Sequence, residues 1–88
     1  MKPSAEELKA LFVQAFGPEV EVTDDSHLHA GHAGAAGGGG HYTVRIISGR
    51  FAGLRTVQRH RLVYDVVSEW MPHRIHALSI TAKLPQES

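Results

Sequence analysis

The chain has 88 residues, no cysteine, and nine basic against nine acidic side chains, so its formal net charge is zero. This length fits one domain, residues 1–88, and the absence of thiols excludes disulfides, a cysteine nucleophile and any metal cluster held by cysteines of this chain. Because no apolar run of about 18 residues is present and the acidic, amphipathic N-terminus differs from a signal peptide, we expect a cytoplasmic protein without a membrane partner.

The first predicted element is an amphipathic helix. Ser4 and Glu7 match the S-x-x-E capping box that begins many helices. The apolar residues that follow share one helical face: Leu8, Leu11, Phe12, Ala15 and Phe16. Gly17 and Pro18 predict the end of this helix.

A short strand and a long loop come next. Val20 and Val22 alternate with polar residues, which predicts a strand with one solvent-facing side, and the DDS sequence after them ends it. Residues 27–40, HLHAGHAGAAGGGG, have no apolar periodicity and cannot pack into a core. Loops of this length are uncommon in compact domains and tend to be functional or disordered. The glycines therefore predict a mobile loop at about residues 27–40.

The remaining chain predicts a strand, a helix and a strand. Polar and apolar residues alternate from His41 to Ser48, the spacing is helical from about Thr56 to Trp70, and alternation returns from Ile75 to Lys83. The first two strands can pair antiparallel, whereas a helical connection favours a right-handed parallel crossover between the last two. The predicted fold class is α+β: a small α-β-β-α-β domain whose three-stranded mixed sheet carries both helices on one face.

Histidines are the first candidate functional residues. His27, His29 and His32 lie within six residues, and His41 closes the loop. Neutral imidazole is a common metal ligand, and short histidine-rich tracts often bind metals. From the residues alone, however, a polar loop with incidental histidines is the simpler interpretation. His76 opens the third strand on the parity of its apolar residues, which by itself favours a partly buried histidine over a ligand.

A basic segment is the second candidate. Residues 45–61 contain five arginines and no acidic residue. Arg55, Arg59, His60 and Arg61 could form a surface for nucleic acid or for a partner protein. In the alternative interpretation, His60 packs beneath the helix and the arginines are solvated or bind acidic side chains. A chain without net charge offers few contacts to nucleic-acid phosphates, which weakens the nucleic-acid interpretation. No nucleophile–base–acid set is visible in the sequence, so we expect neither an enzyme nor a small-molecule substrate.

Several separated motifs resemble those of the BolA family. They are FxG at residues 51–53 followed by RHR at 59–61, DDSH at 24–27, HYTVRIIS at 41–48 and IHAL at 75–78. The resemblance covers roughly residues 20–85. It implies a fold similar to the class II KH domain and a role as partner of a monothiol glutaredoxin in iron–sulfur cluster transfer or iron homeostasis. A DNA-binding transcriptional regulator is the alternative that the resemblance allows.

The resemblance also implies a set of ligands. In BolA-like proteins, the histidine of the IHAL motif and a residue from the loop look like ligands of a bridging 2Fe–2S cluster shared with glutaredoxin and glutathione. Carried over, this implies His76 and, by its offset after DDS, His29. His41 and His32 are the alternative loop ligands. The isolated protein is expected to hold no cofactor.

Overall fold

The computed structural model describes residues 2–29 and 39–88 and confirms the predicted α-β-β-α-β order. The helices are α1 (Ala5–Phe16) and α2 (Thr56–Val66), and the strands are β1 (Val20–Asp24), β2 (Gly40–Ile47) and β3 (Ile75–Lys83). The predicted mobile loop at 27–40 is described only at its ends, so its mobility at residues 30–38 lies outside the described residues. Within the described part of the chain, every helix is too short or too polar to cross a bilayer.

Helix α1 begins and ends where the sequence predicts. The Ser4 hydroxyl accepts the N–H of Glu7 at 3.0 Å, and the Glu7 carboxylate accepts the N–H of Ser4 at 3.0 Å, which completes the capping box. Gly17 ends the helix with a φ of 109°, a conformation that side-chain-bearing residues rarely adopt, and donates its N–H to Val13 O at 2.8 Å. The helix buries one apolar face, made of Leu8, Phe12 and Phe16.

The sheet is mixed, and both helices cover the same face. Strand β2 lies in the centre, antiparallel to β1 and parallel to β3. One core cluster joins side chains from both helices, and from Val67 just after α2, with those of the sheet: Leu8, Phe12, Phe16, Val63, Val67, Tyr42, Val44 and Ile46. The other face carries the alternate positions of the strands, such as Thr43, Ser79 and Thr81, which are exposed. The predicted sheet and single-sided helix layer are therefore confirmed.

Helix α2 is shorter than the sequence predicts. It ends at Val66, and Ser68–Trp70 forms a separate 3-10 helix instead of continuing the α-helix to Trp70. The residue before a proline is pushed out of the helical region, and Met71, which precedes Pro72, is extended with φ −102° and ψ 143°. The extended Met71 ends the 3-10 helix at Trp70, whereas the α-helix already ends before Val67, whose φ of −113° and ψ of 19° lie outside the α-helical region.

A small hydrogen-bond network closes the end of β1. The Asp24 carboxylate accepts the Lys2 ammonium at 2.9 Å and the N–H of Ser26 at 2.9 Å. Partial burial raises the pKa of Asp24, but the hydrogen bonds from Lys2 and Ser26 outweigh burial and lower the pKa to about 2. The ionised carboxylate is therefore the form that stabilises the fold.

This network predicts an acid-sensitive contribution to stability. Because the folded-state pKa is depressed from 3.8 to about 2, the contribution is present above about pH 4 and is lost as the pH falls towards 2. We expect it to reach at most about 2 kcal/mol. Urea unfolding between pH 2 and pH 6 should show a smaller loss of stability on acidification for Asp24→Asn than for the native chain. Glu69→Gln, a change at an exposed carboxylate, should leave the dependence of the unfolding free energy on pH unchanged. The prediction is contradicted if Asp24→Asn and the native chain show the same dependence on pH.

Candidate functional site

The structure brings together two of the predicted ligands, His41 and His76. His41 lies in β2 and His76 in β3, and the centroids of their rings are 5.2 Å apart with the planes inclined by 51°. His41 is 8% exposed, whereas His76 lies open to solvent. The imidazole of His41 is thus buried, whereas that of His76 is exposed to solvent.

A β-bulge determines where His76 lies. Gly40 is opposite Ile75 and His41 is opposite Ala77, so the register shifts between these pairs and His76 is the extra residue. Ile75 is buried whereas His76 and Ala77 are both exposed. The expectation from alternation alone, that His76 is partly buried, is therefore wrong. Bulges redirect side chains at the margins of sheets, and this one moves His76 from the core side to the surface.

The DDS sequence fixes the backbone of His41. The Ser26 hydroxyl accepts the N–H of His41 at 3.1 Å, and the N–H of Asp25 donates to the His41 carbonyl at 2.7 Å. The Asp25 carboxylate also accepts the Thr43 hydroxyl at 2.5 Å. Sequence reasoning treated these residues only as the end of β1. Their partners lie 15 and 18 residues away along the chain, so no local pattern in the sequence could have identified these contacts.

Tyr42 and Gly40 shape the sheet beneath the histidines. A Cβ on Gly40 would lie 2.4 Å from the Tyr42 ring and hydroxyl, so the tyrosine occupies the space of the missing side chain. The Tyr42 hydroxyl donates to the carbonyl of Pro3, and the side chain is almost fully buried. Burial, followed by the charges of Asp24 and Glu7, raises the pKa of Tyr42 to about 12. Tyr42 therefore remains a neutral hydroxyl in the core under ordinary conditions.

The other predicted ligands cannot be paired with His76 from the described residues. His29 belongs to the short 3-10 helix Ser26–His29, but its side chain lies outside the description, as does the whole of His32. Within residues 2–29 and 39–88, no group of three or more metal-binding side chains is present. His29 and His32 therefore stay predictions, and His41 is the neighbour of His76 that the geometry identifies.

The histidine pair has the chemistry of a partial metal site. A neutral imidazole donates a nitrogen lone pair to a metal, and metal–nitrogen bonds are about 2.0–2.1 Å long at zinc. Rings 5.2 Å apart can therefore reach a common ion with small rotations. The two rings form only a pair, because the described residues contain no group of three or more side chains that could hold a metal ion. An ion bound by both imidazoles would therefore need its remaining ligands from elsewhere.

Arg59, in the middle of the predicted basic surface, binds other groups of the same chain. The Arg59 guanidinium donates to Leu54 O at 2.9 Å and to Ala82 O at 3.2 Å, and it binds the Glu87 carboxylate at 2.6 Å. Its side chain is only 14% exposed. Arg59 therefore behaves as in the alternative interpretation, in which an arginine binds an acidic side chain of its own chain.

The remaining basic residues stay at the surface. Arg55 and Arg61 are exposed and His60 is half-buried. Within the described residues, the Arg61 side chain makes no hydrogen bond or ion pair. A groove of about 320 Å³ on the outer side of α2 is lined by His60 and Arg61 together with Val57 and Tyr64. Three of the four predicted residues can therefore contribute to a surface.

Known proteins resemble this chain in sequence. SufE-like protein 1, chloroplastic/mitochondrial, of Arabidopsis thaliana is 46% identical over 78% of this chain and 20% of its own length. BolA-like protein 1 of Mus musculus is 42% identical over 91% of this chain and 57% of its own length. The chain thus spans less than two thirds of these relatives.

Solved structures share the fold. The BolA domain of SufE1 from Arabidopsis thaliana superposes with a TM-score of 0.83 at 36% identity, with 100% of this chain and 99% of that one covered. BolA1 from the same plant gives a TM-score of 0.81 at 38% identity, with 100% and 98% covered. The family model described as BolA, BolA-like protein, matches residues 12–87. The chain therefore belongs to the BolA-like protein family.

Proposed function

We propose that this protein is the partner of a monothiol glutaredoxin and shares a bridging 2Fe–2S cluster with it, in cluster transfer or iron homeostasis. The observation that carries the proposal is the His41–His76 pair, in which the rings are 5.2 Å apart on neighbouring strands. Membership of the BolA-like family supports it. His76 and His41 are the proposed ligands from this chain.

The donor set fits a shared site. The chain has no cysteine, so nitrogen or oxygen must provide every bond from this protein to iron. Two imidazoles leave the other positions for the cysteine of glutaredoxin and the thiol of glutathione. Histidine in place of cysteine on one iron of a 2Fe–2S cluster raises its reduction potential. The mixed complex would therefore differ in potential from a cluster held by thiolates alone.

The second ligand has a competing candidate. The resemblance to BolA-like proteins implies His29, whereas the geometry brings His41 to His76. His32 is a further loop candidate. All three can be tested separately by substitution, because the chain offers no cysteine that could replace a lost imidazole.

Reconstitution tests the proposal directly. The purified protein is mixed with a monothiol glutaredoxin, iron, sulfide and glutathione, and the visible absorption and circular dichroism are recorded after size-exclusion chromatography. We expect a heterodimer whose spectrum differs from that of glutaredoxin reconstituted alone. Lys9→Ala, a change at an exposed position of α1 to which no role is assigned, serves as the control and should keep the new spectrum. Recovery of only the glutaredoxin homodimer in the presence of excess native protein would overturn the proposal.

The DNA-binding alternative has less support from the geometry. Arg59 is used within the fold, and the chain has no net positive charge. Arg55, His60 and Arg61 offer few phosphate contacts by themselves. We therefore do not propose transcription regulation as a second function.

The cellular location is a separate proposal. We keep the cytoplasm as the proposed compartment, although two plant relatives carry chloroplastic or mitochondrial in their names. Fractionation of cells that express the untagged protein would decide between these compartments. The absence of catalytic activity also stays a prediction.

A further inference from the structure

We propose that Gly39 is a positioning residue for His76. The inference rests on the proposed function: the missing side chain at position 39 sets the spacing of the His41–His76 pair and thereby the ability of the two imidazoles to bind one ion. Gly39 is the last residue before β2 and is buried. Sequence reasoning placed it in a mobile loop without assigning it a role.

The contacts around Gly39 leave no room for a methyl group. A Cβ built on it would lie 2.9 Å from the carbonyl oxygen of His73, 3.0 Å from the Cβ of His76 and 3.2 Å from the backbone nitrogen of His76. Two of these atoms are backbone and the third is attached to it, so none can move away by rotating a side chain. Any larger residue must therefore displace either the start of β2 or residues 73–76.

The surrounding hydrogen bonds indicate which segment moves. His41 is held from the β1 side by Ser26 and Asp25, at 3.1 Å and 2.7 Å. The Gly40 N–H also donates to Arg74 O at 3.0 Å, which joins the start of β2 to the chain before His76. His76, in contrast, is the extra residue of the bulge and has no residue opposite it in β2. The added methyl group would therefore push His76 away from His41.

The chain offers a matched control for this substitution. At Gly49, a Cβ would meet nothing within 4 Å, and the backbone does not have the positive φ found at Gly17 and Gly53. Gly49→Ala therefore adds the same methyl group, with the same loss of glycine flexibility, at an exposed position after β2. Any difference between Gly39→Ala and Gly49→Ala reports the contact with residues 73–76.

The experiment has two readouts. The first is the nuclear Overhauser contact between the His41 and His76 ring protons in the protein alone. The second is the visible spectrum of the complex reconstituted with a monothiol glutaredoxin, iron, sulfide and glutathione. We expect Gly39→Ala to fold, to lose the inter-ring contact, and to hold the mixed cluster about 10–100-fold more weakly, as when supporting residues of metal sites are changed. Gly49→Ala should keep both signals.

The outcomes separate this inference from the proposed function. If Gly39→Ala keeps the inter-ring contact of the native protein, the positioning role is wrong, whatever the cluster does. If the native protein forms no mixed cluster, the proposed function fails while the ring contact still decides the role of Gly39. Should Gly39→Ala not fold, the double variant Gly39→Ala/His73→Gly gives the His73 carbonyl freedom to withdraw, while His76 still blocks the methyl group. We expect that variant to fold with separated rings, and rings in contact would overturn the inference.

Discussion

Replacing His76 with alanine is expected to abolish the mixed cluster. The chain contains no thiol, so the loss of this imidazole leaves one described histidine at the site, and His41 is only 8% exposed. A single, largely buried imidazole cannot compete with the second glutaredoxin molecule for the iron. Reconstitution of His76→Ala with glutaredoxin should therefore give the spectrum of the glutaredoxin homodimer. Because His76 is exposed, the melting temperature of the His76→Ala variant should stay close to that of the native protein.

Substitutions at the other histidines identify the second ligand. If the geometry decides, His41→Ala should cause the same loss as His76→Ala, and His29→Ala should leave the spectrum largely intact. If His29, the loop residue implied by the resemblance, is the second ligand, His29→Ala should alter or weaken the spectrum. A shifted spectrum would then show that His32 or His41 has replaced His29 as the ligand. A heterodimeric cluster of native spectrum and stability in His76→Ala would refute the ligand assignment.

Replacing Arg59 with alanine is expected to destabilise the fold by about 2–4 kcal/mol, since hydrogen bonds to charged groups contribute about 1.5–3 kcal/mol each and are not additive. The guanidinium binds the carbonyls of Leu54 and Ala82 and the Glu87 carboxylate. It thereby joins the segment before α2, the end of β3 and the C-terminal turn. In a domain of this size, the melting temperature should fall by roughly 10–25 °C, as measured by thermal unfolding followed by circular dichroism.

Arg61→Ala is the matched control, two residues further along the same helix. Its side chain is exposed and makes no hydrogen bond or ion pair within the described residues, so we expect a change within about 0.5 kcal/mol. Arg59→Lys should recover only part of the lost stability, because a lysine cannot reproduce the planar fork of donors. Equal stability of Arg59→Ala and Arg61→Ala would show that the network contributes nothing. DNA-binding tests should accordingly use Arg61→Ala, which leaves the fold intact.

The sequence by itself determined the elements and their arrangement. The capping box at Ser4 and Glu7 and the alternation in β1, β2 and β3 are local patterns, and each one gives nearly the bounds that the structure shows. The mixed sheet followed from the helix between β2 and β3, because such crossovers connect parallel strands. Motifs spread along the chain also identified the BolA-like family, which the family model confirms.

The tertiary structure alone decided which side chains meet. Alternation places His76 on the core face, but the bulge opposite Gly40 and His41 moves it to the surface. A bulge depends on pairing between distant strands, so the period of one strand cannot reveal it. The sequence left open whether Arg59 belongs to a basic surface or binds an acidic side chain, because its partners Ala82 and Glu87 come from the far end of the chain. The pairing of His41 with His76 likewise follows from the register of β2 against β3, because hydrogen bonds between strands, and not spacing along the chain, set the distance between two side chains.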